Sequence, residues 1–218
     1  MKQVCILALL GLFLSGSAAP CQAHELSGYI EAQAVFFPES ARHAGQKDQS
    51  VSLAIEPEYY HAWDNDLSLI IVPFARIDSA DPERSHVDLR EFNFLWVGDT
   101  IELRLGIGKV FWGVTEFVHL ADIINQTDLV ESLDGEEKLG QPMAQLTWPT
   151  DSGVFELFLL PGFRERTYPG KKGRFRNSWV VDTDKAFFES AADENHLDLA
   201  FRYSHTIGSV DVGVYTFK

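Results

Sequence analysis

Residues 100–139 read TIELRLGIGKVFWGVTEFVHLADIINQTDLVESLDGEEKL, and this stretch decides the fold. From Thr100 to Val110 the chain alternates. Ile101, Leu103, Leu105 and Ile107 fall on one face, and Glu102, Arg104, Gly106 and Gly108 on the other. Side chains alternate across a strand, so this is a β-strand with one oily face and one charged face. Beyond Gly108 the alternation stops and a long connection begins. A strand of this kind feeding a long loop is what a membrane β-barrel uses, with lipid outside, water inside and function in the loop.

Working outward, the same pattern recurs along the chain. Strands are expected at about 26–37, 50–62, 67–78, 86–97, 141–149, 153–164 and 196–205, and from Val210 onward. In 86–97 the polar residues His86, Asp88 and Arg90 share parity with Phe92, Phe94 and Trp96, so the faces switch near Glu91. A β-bulge explains such a switch, because one extra residue re-aims the chain. In 153–164 the alternation is weak. The connections run long, short, long, short throughout, which is the rhythm of an outer-membrane barrel with short periplasmic turns and long outer loops. The short ones are Asp64–Asp66, Gly98–Asp99, Thr150–Ser152 and Ile207–Ser209. The expected fold is therefore all-β, an antiparallel up-and-down transmembrane β-barrel. A secreted β-sandwich or soluble barrel is the alternative, since its hairpins can have any length. About nine strands are expected where bacterial single-chain barrels have even numbers, so the chain reads as an incomplete barrel, the N-terminal part of a larger one. An eight-stranded closure is the alternative.

The N-terminus supports export. Lys2, the apolar run Val4 to Leu14 and the small residues Ser15 to Ala19 have the layout of a secretory signal peptide. The run is shorter than the about 20 apolar residues a spanning helix needs. Residues 1–23 are read as the leader and 24–218 as the barrel domain, located in the bacterial outer membrane. Both cysteines, Cys5 and Cys21, lie in the leader, so the remainder has no thiol or disulfide. The formal net charge of −14 argues against nucleic acid as a partner. Outer-membrane lipid and lipopolysaccharide, small solutes or ions, and a homo-oligomer of the chain are the partners this architecture admits.

A charge facing lipid near the midplane costs roughly 2–4 kcal/mol. Glu31, Glu56, Glu58, Arg76, Glu102, Arg104, Asp198 and Arg202 are therefore expected to line the lumen, with Glu102 and Arg104 as an ion pair. In the loop after Trp112, apolar residues such as Phe117, Leu120, Ile123 and Ile124 recur at helical spacing, which predicts one or two short helices within 112–140. The loop either folds into the barrel as a constriction, placing Glu116, Asp122, Asn125, Gln126 and Asp128 near the ion path, or lies over the rim. In the first case its acids predict a cation preference. A basic run, Arg164, Arg166, Lys171, Lys172, Arg174 and Arg176, marks a second long loop. It is read first as a solvated loop paired with Asp182, Asp184 and Glu189. No motif for catalysis appears, and no cofactor or metal site is expected: His119 and Asp122 alone supply too few ligands.

RLGIGKVFWG (104–113), NQTD (125–128) and DGEEKLGQP (134–142) resemble a family of uncharacterised proteobacterial outer-membrane β-barrels of porin-like type. The resemblance is strongest over 100–146. It implies a barrel longer than this chain and no particular substrate. It carries over Trp112, Gly113, Asn125, Asp128, Lys138, Gly140 and Pro142 as motif residues shaping the loop. The expected function is passive passage of small solutes or ions, and not enzymatic. The alternative is a structural or adhesive barrel whose lumen is plugged by the 112–140 loop.

Overall fold

The computed structural model describes residues 7–13, 24–113 and 121–218. The strands are β1 (Leu7–Phe13), β2 (His24–Phe36), β3 (Gln49–Ala62), β4 (Leu67–Asp78), β5 (His86–Val97), β6 (Glu102–Gly108), β7 (Gln141–Thr150), β8 (Gly153–Pro161), β9 (Leu197–Ile207) and β10 (Val210–Phe217). They lie in chain order in one sheet, and every neighbour is antiparallel. β1 falls inside the run read as leader and pairs with the edge of β2. The other nine are the strands expected from alternation. Long and short connections alternate, so all four short turns lie at one end of the sheet. Asp66 takes a positive φ of 60° in one of them, a conformation Asp tolerates. The sheet is open rather than closed into a barrel: β1 and β10 are its two edges.

The register carries one face unbroken across the sheet. A single row of direct partners runs His24, His61, Leu69, Phe94, Leu105, Ala144, Leu159, Leu199 from β2 to β9. On this face, from β2 to β10, the strands carry no Asp, Glu, Lys or Arg. Its apolar side chains are bare: Val87 is 82% exposed and Leu105 53%. The opposite face holds the charges and is the buried one. Phe158 on it is 0% exposed and Arg90 2%. This inverts the arrangement of a water-soluble sheet, which buries its apolar face.

The predicted bulge sits in β5. Pro73 pairs with Leu89 but Val72 pairs with Glu91, so Arg90 has no partner on β4. That one extra residue keeps both halves of β5 in phase with the apolar face. The row from His24 to Leu199 also climbs. His24 begins β2 at the turn end, whereas Leu199 lies near the loop end of β9. The shift is about one residue per strand, which at ordinary rise and spacing tilts the strands by about 40°. Barrels require a stagger and tilt of this size.

The expected short helices in 112–140 are not found among the described residues, where the loop is built of turns and bridges. Residues 114–120, with Phe117 and Leu120 of the apolar spacing, lie outside them. Ile123 and Ile124 face different surroundings, the first 39% exposed and the second 5%. Their spacing reflects one buried residue beside one exposed residue, not a helical stripe.

Gly106 meets the tightest constraint in the sheet. Its φ is +140°, and an added Cβ would lie 1.8 Å from the Phe92 carbonyl oxygen on β5. Gly106→Ala is expected to cost at least about 2 kcal/mol, backbone strain alone accounting for 1–3. Urea unfolding of the protein in detergent measures it, and an unchanged midpoint would show that β5 and β6 separate freely here.

Candidate functional site

Where β6 ends, the chain turns back onto the charged face of the sheet. Val110, Trp112 and Ile124 pack against Met143, Phe158, Leu160 and Ala200 of β7, β8 and β9. The Trp112 ring meets Phe158 at 5.4 Å and Tyr215 of β10 at 5.3 Å between centroids. This explains the weak alternation of β8. Phe158 and Leu160 point inward with the charges because they form the seat for the loop.

Two side chains fasten the loop backbone to itself. Asn125 accepts from the Val110 N–H and donates to the carbonyls of Gly108 and Leu139, each at 2.8 Å. It thereby ties the departing and returning ends together. Asp122 accepts from the N–H groups of Trp112 at 2.5 Å and Gly113 at 2.7 Å. Buried backbone donors need such partners, since leaving one bare costs about 1–3 kcal/mol.

Two ion pairs then fasten the loop to the wall. Asp128 is fully buried. It accepts from Arg90 Nη1 at 2.7 Å, from the Thr167 hydroxyl at 2.5 Å, and from the N–H groups of Val130 and Glu131 at 3.3 Å. Arg90, the bulge residue, also faces Glu137 at 3.5 Å, Asp88 at 3.6 Å and Glu56 at 3.9 Å, and its guanidinium lies 4.4 Å from the Phe74 ring centre. Arg164 joins Asp88 at 2.7 Å and the Gly140 carbonyl at 2.8 Å. The second pair is Arg76 with Glu131 at 2.8 Å, and Arg76 also reaches Glu31 at 3.1 Å and the Ser52 hydroxyl at 3.0 Å. Lys109 closes on Glu137 at 2.6 Å.

The residues expected to line a lumen share the charged face: Glu31, Glu56, Glu58, Arg76, Glu102, Arg104, Asp198 and Arg202. Glu31, Glu56 and Arg76 belong to the network at the loop end. Arg202 pairs with Glu156 at 2.8 Å and Asp198 with His196 at 2.9 Å. The anticipated Glu102–Arg104 pair is not formed. Glu58, Glu102 and Arg104 have no hydrogen-bonding or ion-pair partner among the described residues. Of the loop residues, Trp112 is packed, Gly113, Asp122 and Asn125 close the backbone, and Asp128 is the anchor. Lys138 donates to Thr127 at 3.3 Å. Gly140 lies against the Arg90 carbonyl, where a Cβ would come within 2.2 Å. Pro142 sits on the apolar face opposite Ile107. Glu116 and His119 lie outside the described residues.

Sequence reasoning missed Arg90, Glu131, Glu137, Asp88 and Thr167. The bulge was the available signal for Arg90, because bulges re-aim side chains beside functional regions. In the second long loop Arg164 and Arg174 pair with Asp88 and Asp48, not with the acids expected. Asp182 instead holds Lys185. Arg166, Lys171 and Lys172 have no ion-pair partner among the described residues and border an open cleft of about 790 Å³ between this loop and the start of β5. No group of three or more metal-type ligands occurs among the described residues. No family model, curated protein or solved structure matches the chain.

The two loop anchors titrate in opposite senses. Burial pushes the Asp128 carboxyl up, but the Thr167 hydrogen bond and the Arg90 charge outweigh it and hold the group below the usual carboxylate range. Burial pushes the Glu131 carboxyl above that range, and the nearby Arg76, Arg84 and His86 do not cancel it. Asp128 therefore contributes stability above its unfolded value of about 3.9, lost as pH falls through its lower folded value. Glu131 contributes below its unfolded value of about 4.3, lost as pH rises through its higher folded value. On lowering pH from 7, the loop is expected to tighten first and then to loosen below about pH 4. Hydrogen exchange of residues 121–140 reads both phases; Glu131→Gln should remove the first and Asp128→Asn the second. At neutral pH, Asp128→Ala should cost about 3–5 kcal/mol by stranding buried Arg90, whereas the double change Arg90→Met with Asp128→Leu should recover much of it. Equal losses in the single and double variants would mean that the pair does not anchor the loop.

Proposed function

We propose that this chain forms the wall of a porin-like outer-membrane β-barrel, exported through its leader, in which the described parts of the β6–β7 loop, residues 109–113 and 121–140, fold inward as a constriction for small solutes or ions. One observation carries the reading: nine strands present a face without a single Asp, Glu, Lys or Arg to the outside, while every strand charge turns inward. In water such a face would be covered, and in lipid a charge on it would cost roughly 2–4 kcal/mol. Closed barrels satisfy every backbone group in lipid, so the bilayer reading requires that the edges of this sheet be paired in the membrane.

The aromatic distribution supports the same orientation. At the turn end of the apolar face lie Tyr59, His61, Trp63, Trp96, Trp148, Phe155, Tyr203 and His205, several in ring contact, such as His61 with Trp63 at 4.3 Å and Phe155 with Tyr203 at 4.9 Å. Aromatic girdles of this kind mark membrane interfaces. Above them the face is mostly Leu, Ile, Val and Ala, with Phe36, Phe92, Phe94 and Phe201 among them. A strand of about ten residues tilted by about 40° crosses the roughly 25 Å apolar band.

A second reading has its own support. The apolar seat under Trp112 and the two ion pairs hold the loop as firmly as a plug requires, which favours a non-transporting barrel. Two measurements separate these readings. The chain after residue 23 has no cysteine, so single cysteines report cleanly. In outer-membrane preparations, cysteines at Leu53, Leu105 and Leu157 should resist a water-soluble maleimide until the membrane is dissolved, while one at Glu58 should react. Equal reactivity on both faces would sink the membrane reading. Given protection, current through planar bilayers containing the protein supports passage, and its absence supports the plug.

A further inference from the structure

We propose that passage along this wall favours cations, and that Glu58 and Glu102 on the turn-end half of the charged face, with Glu91 at its middle, set the preference. The inference rests on the pore reading above and moves the selecting charges from the loop to the wall. Of the loop acids that sequence pointed to, the two among the described residues are already engaged. Asp128 is sealed beneath Arg90, and Asp122 holds backbone N–H groups.

The charges are segregated along the sheet. At the loop end every wall cation has an acidic partner: Arg76 has Glu31 and Glu131, Arg84 has Asp78, and Arg90 has Asp128. Below the in-folded loop the balance changes. Among the described residues Glu58 and Glu102 have no hydrogen-bonding or ion-pair partner, and Glu91 accepts only from the Asn93 amide at 3.1 Å. Glu58, Arg104 and Lys109 lie within electrostatic reach of Glu91, but Lys109 is taken by Glu137. Among the described residues of this part of the wall, Arg104 is thus the cation left unpaired against three carboxylates.

A second feature of the wall points the same way. Asn93 is 4% exposed and gives its amide hydrogens to Glu91, leaving its own Oδ1 without a donor. Gln145, 8% exposed, repeats this beside Glu156: it donates at 3.1 Å and leaves Oε1 bare. Each is a buried carbonyl oxygen next to a carboxylate, short of a positive partner. Buried acceptors normally find one. Both oxygens are closed off from solvent, so they act through the field of the wall, each adding the negative end of an amide dipole beside a carboxylate.

The outer cleft does not oppose this bias. Arg166, Lys171 and Lys172, without ion-pair partners among the described residues, share its lining with an equal number of carboxylates likewise unpaired there, Glu83, Glu165 and Asp184. Rings of acidic side chains select cations by sign, and at low salt the Debye length exceeds the size of such a passage, so the wall charges act together.

The test is the reversal potential of the membrane-inserted protein under a potassium chloride gradient. Severalfold preference for potassium over chloride is expected in dilute salt, shrinking as salt is raised. The triple change Glu58→Gln, Glu91→Gln and Glu102→Gln should lower the permeability ratio by at least about twofold. Arg104→Gln, which removes the opposing charge, should raise it, and this guards against a triple variant that does not insert. Current without a preference, or a ratio unmoved by both changes, overturns the assignment while leaving the pore intact. Absence of any current in the unaltered protein overturns the pore reading and this inference with it.

Discussion

Arg90 carries a full positive charge at 2% exposure, and the loop end of the sheet is arranged around its neutralisation. The β-bulge places it there, since the residue it adds to β5 has no partner on β4 and turns to the charged face. Once there, it needs carboxylates. Asp128 comes from the β6–β7 loop, Asp88 from its own strand, Glu56 from β3, and the aromatic face of Phe74 covers it. A buried ion pair is weak evidence of net stability, because desolvation offsets most of the attraction. Its effect is positional. Asp128 fixes where the loop meets the wall, and Asn125 and Asp122 hold the described backbone in the shape that reaches it.

Much of the architecture was legible because a strand writes its environment with period two. The nine strands β2 to β10, the alternation of long and short connections, and the bulge near Glu91 came from that periodicity alone. The eight wall residues singled out from sequence do share one face. Their partners were not legible. Arg90 and Asp128 are 38 residues apart, Arg76 and Glu131 are 55, and Arg164 and Asp88 are 76. No local pattern encodes which loop acid meets which wall cation, because the choice depends on how a long connection folds back.

Over its described residues the loop carries no helix, for a physical reason. Apolar residues at intervals of three and four indicate a helix only when one stripe of a helix is buried. Here Val110, Trp112 and Ile124 are buried one at a time against a sheet, in a segment shaped by side-chain caps. The seat left a trace on the partner strand. Leu157 and Leu159 face out while Phe158 and Leu160 face in, so β8 lost its polar face and its alternation. Weak alternation in one strand of an otherwise regular sheet marks where something apolar lies on the inner face.

The four long connections are not independent. The β8–β9 loop touches each of the others: Phe175 meets Phe37 at 5.4 Å, the Gly170 N–H donates to Asp81 at 2.9 Å, and Thr167 donates to Asp128. One segment thus links connections that belong to strands six positions apart in the sheet. The opposite end has only short turns, which reach no further than the next hairpin, as in the bond from Val97 N–H to the Asp66 carbonyl at 3.0 Å. Cross-bracing at one end and its absence at the other account for the charge distribution. Where loops cover the wall, a charge must be paired to be buried. Where they do not, carboxylates remain solvated at little cost and stay available to whatever approaches from the turn side.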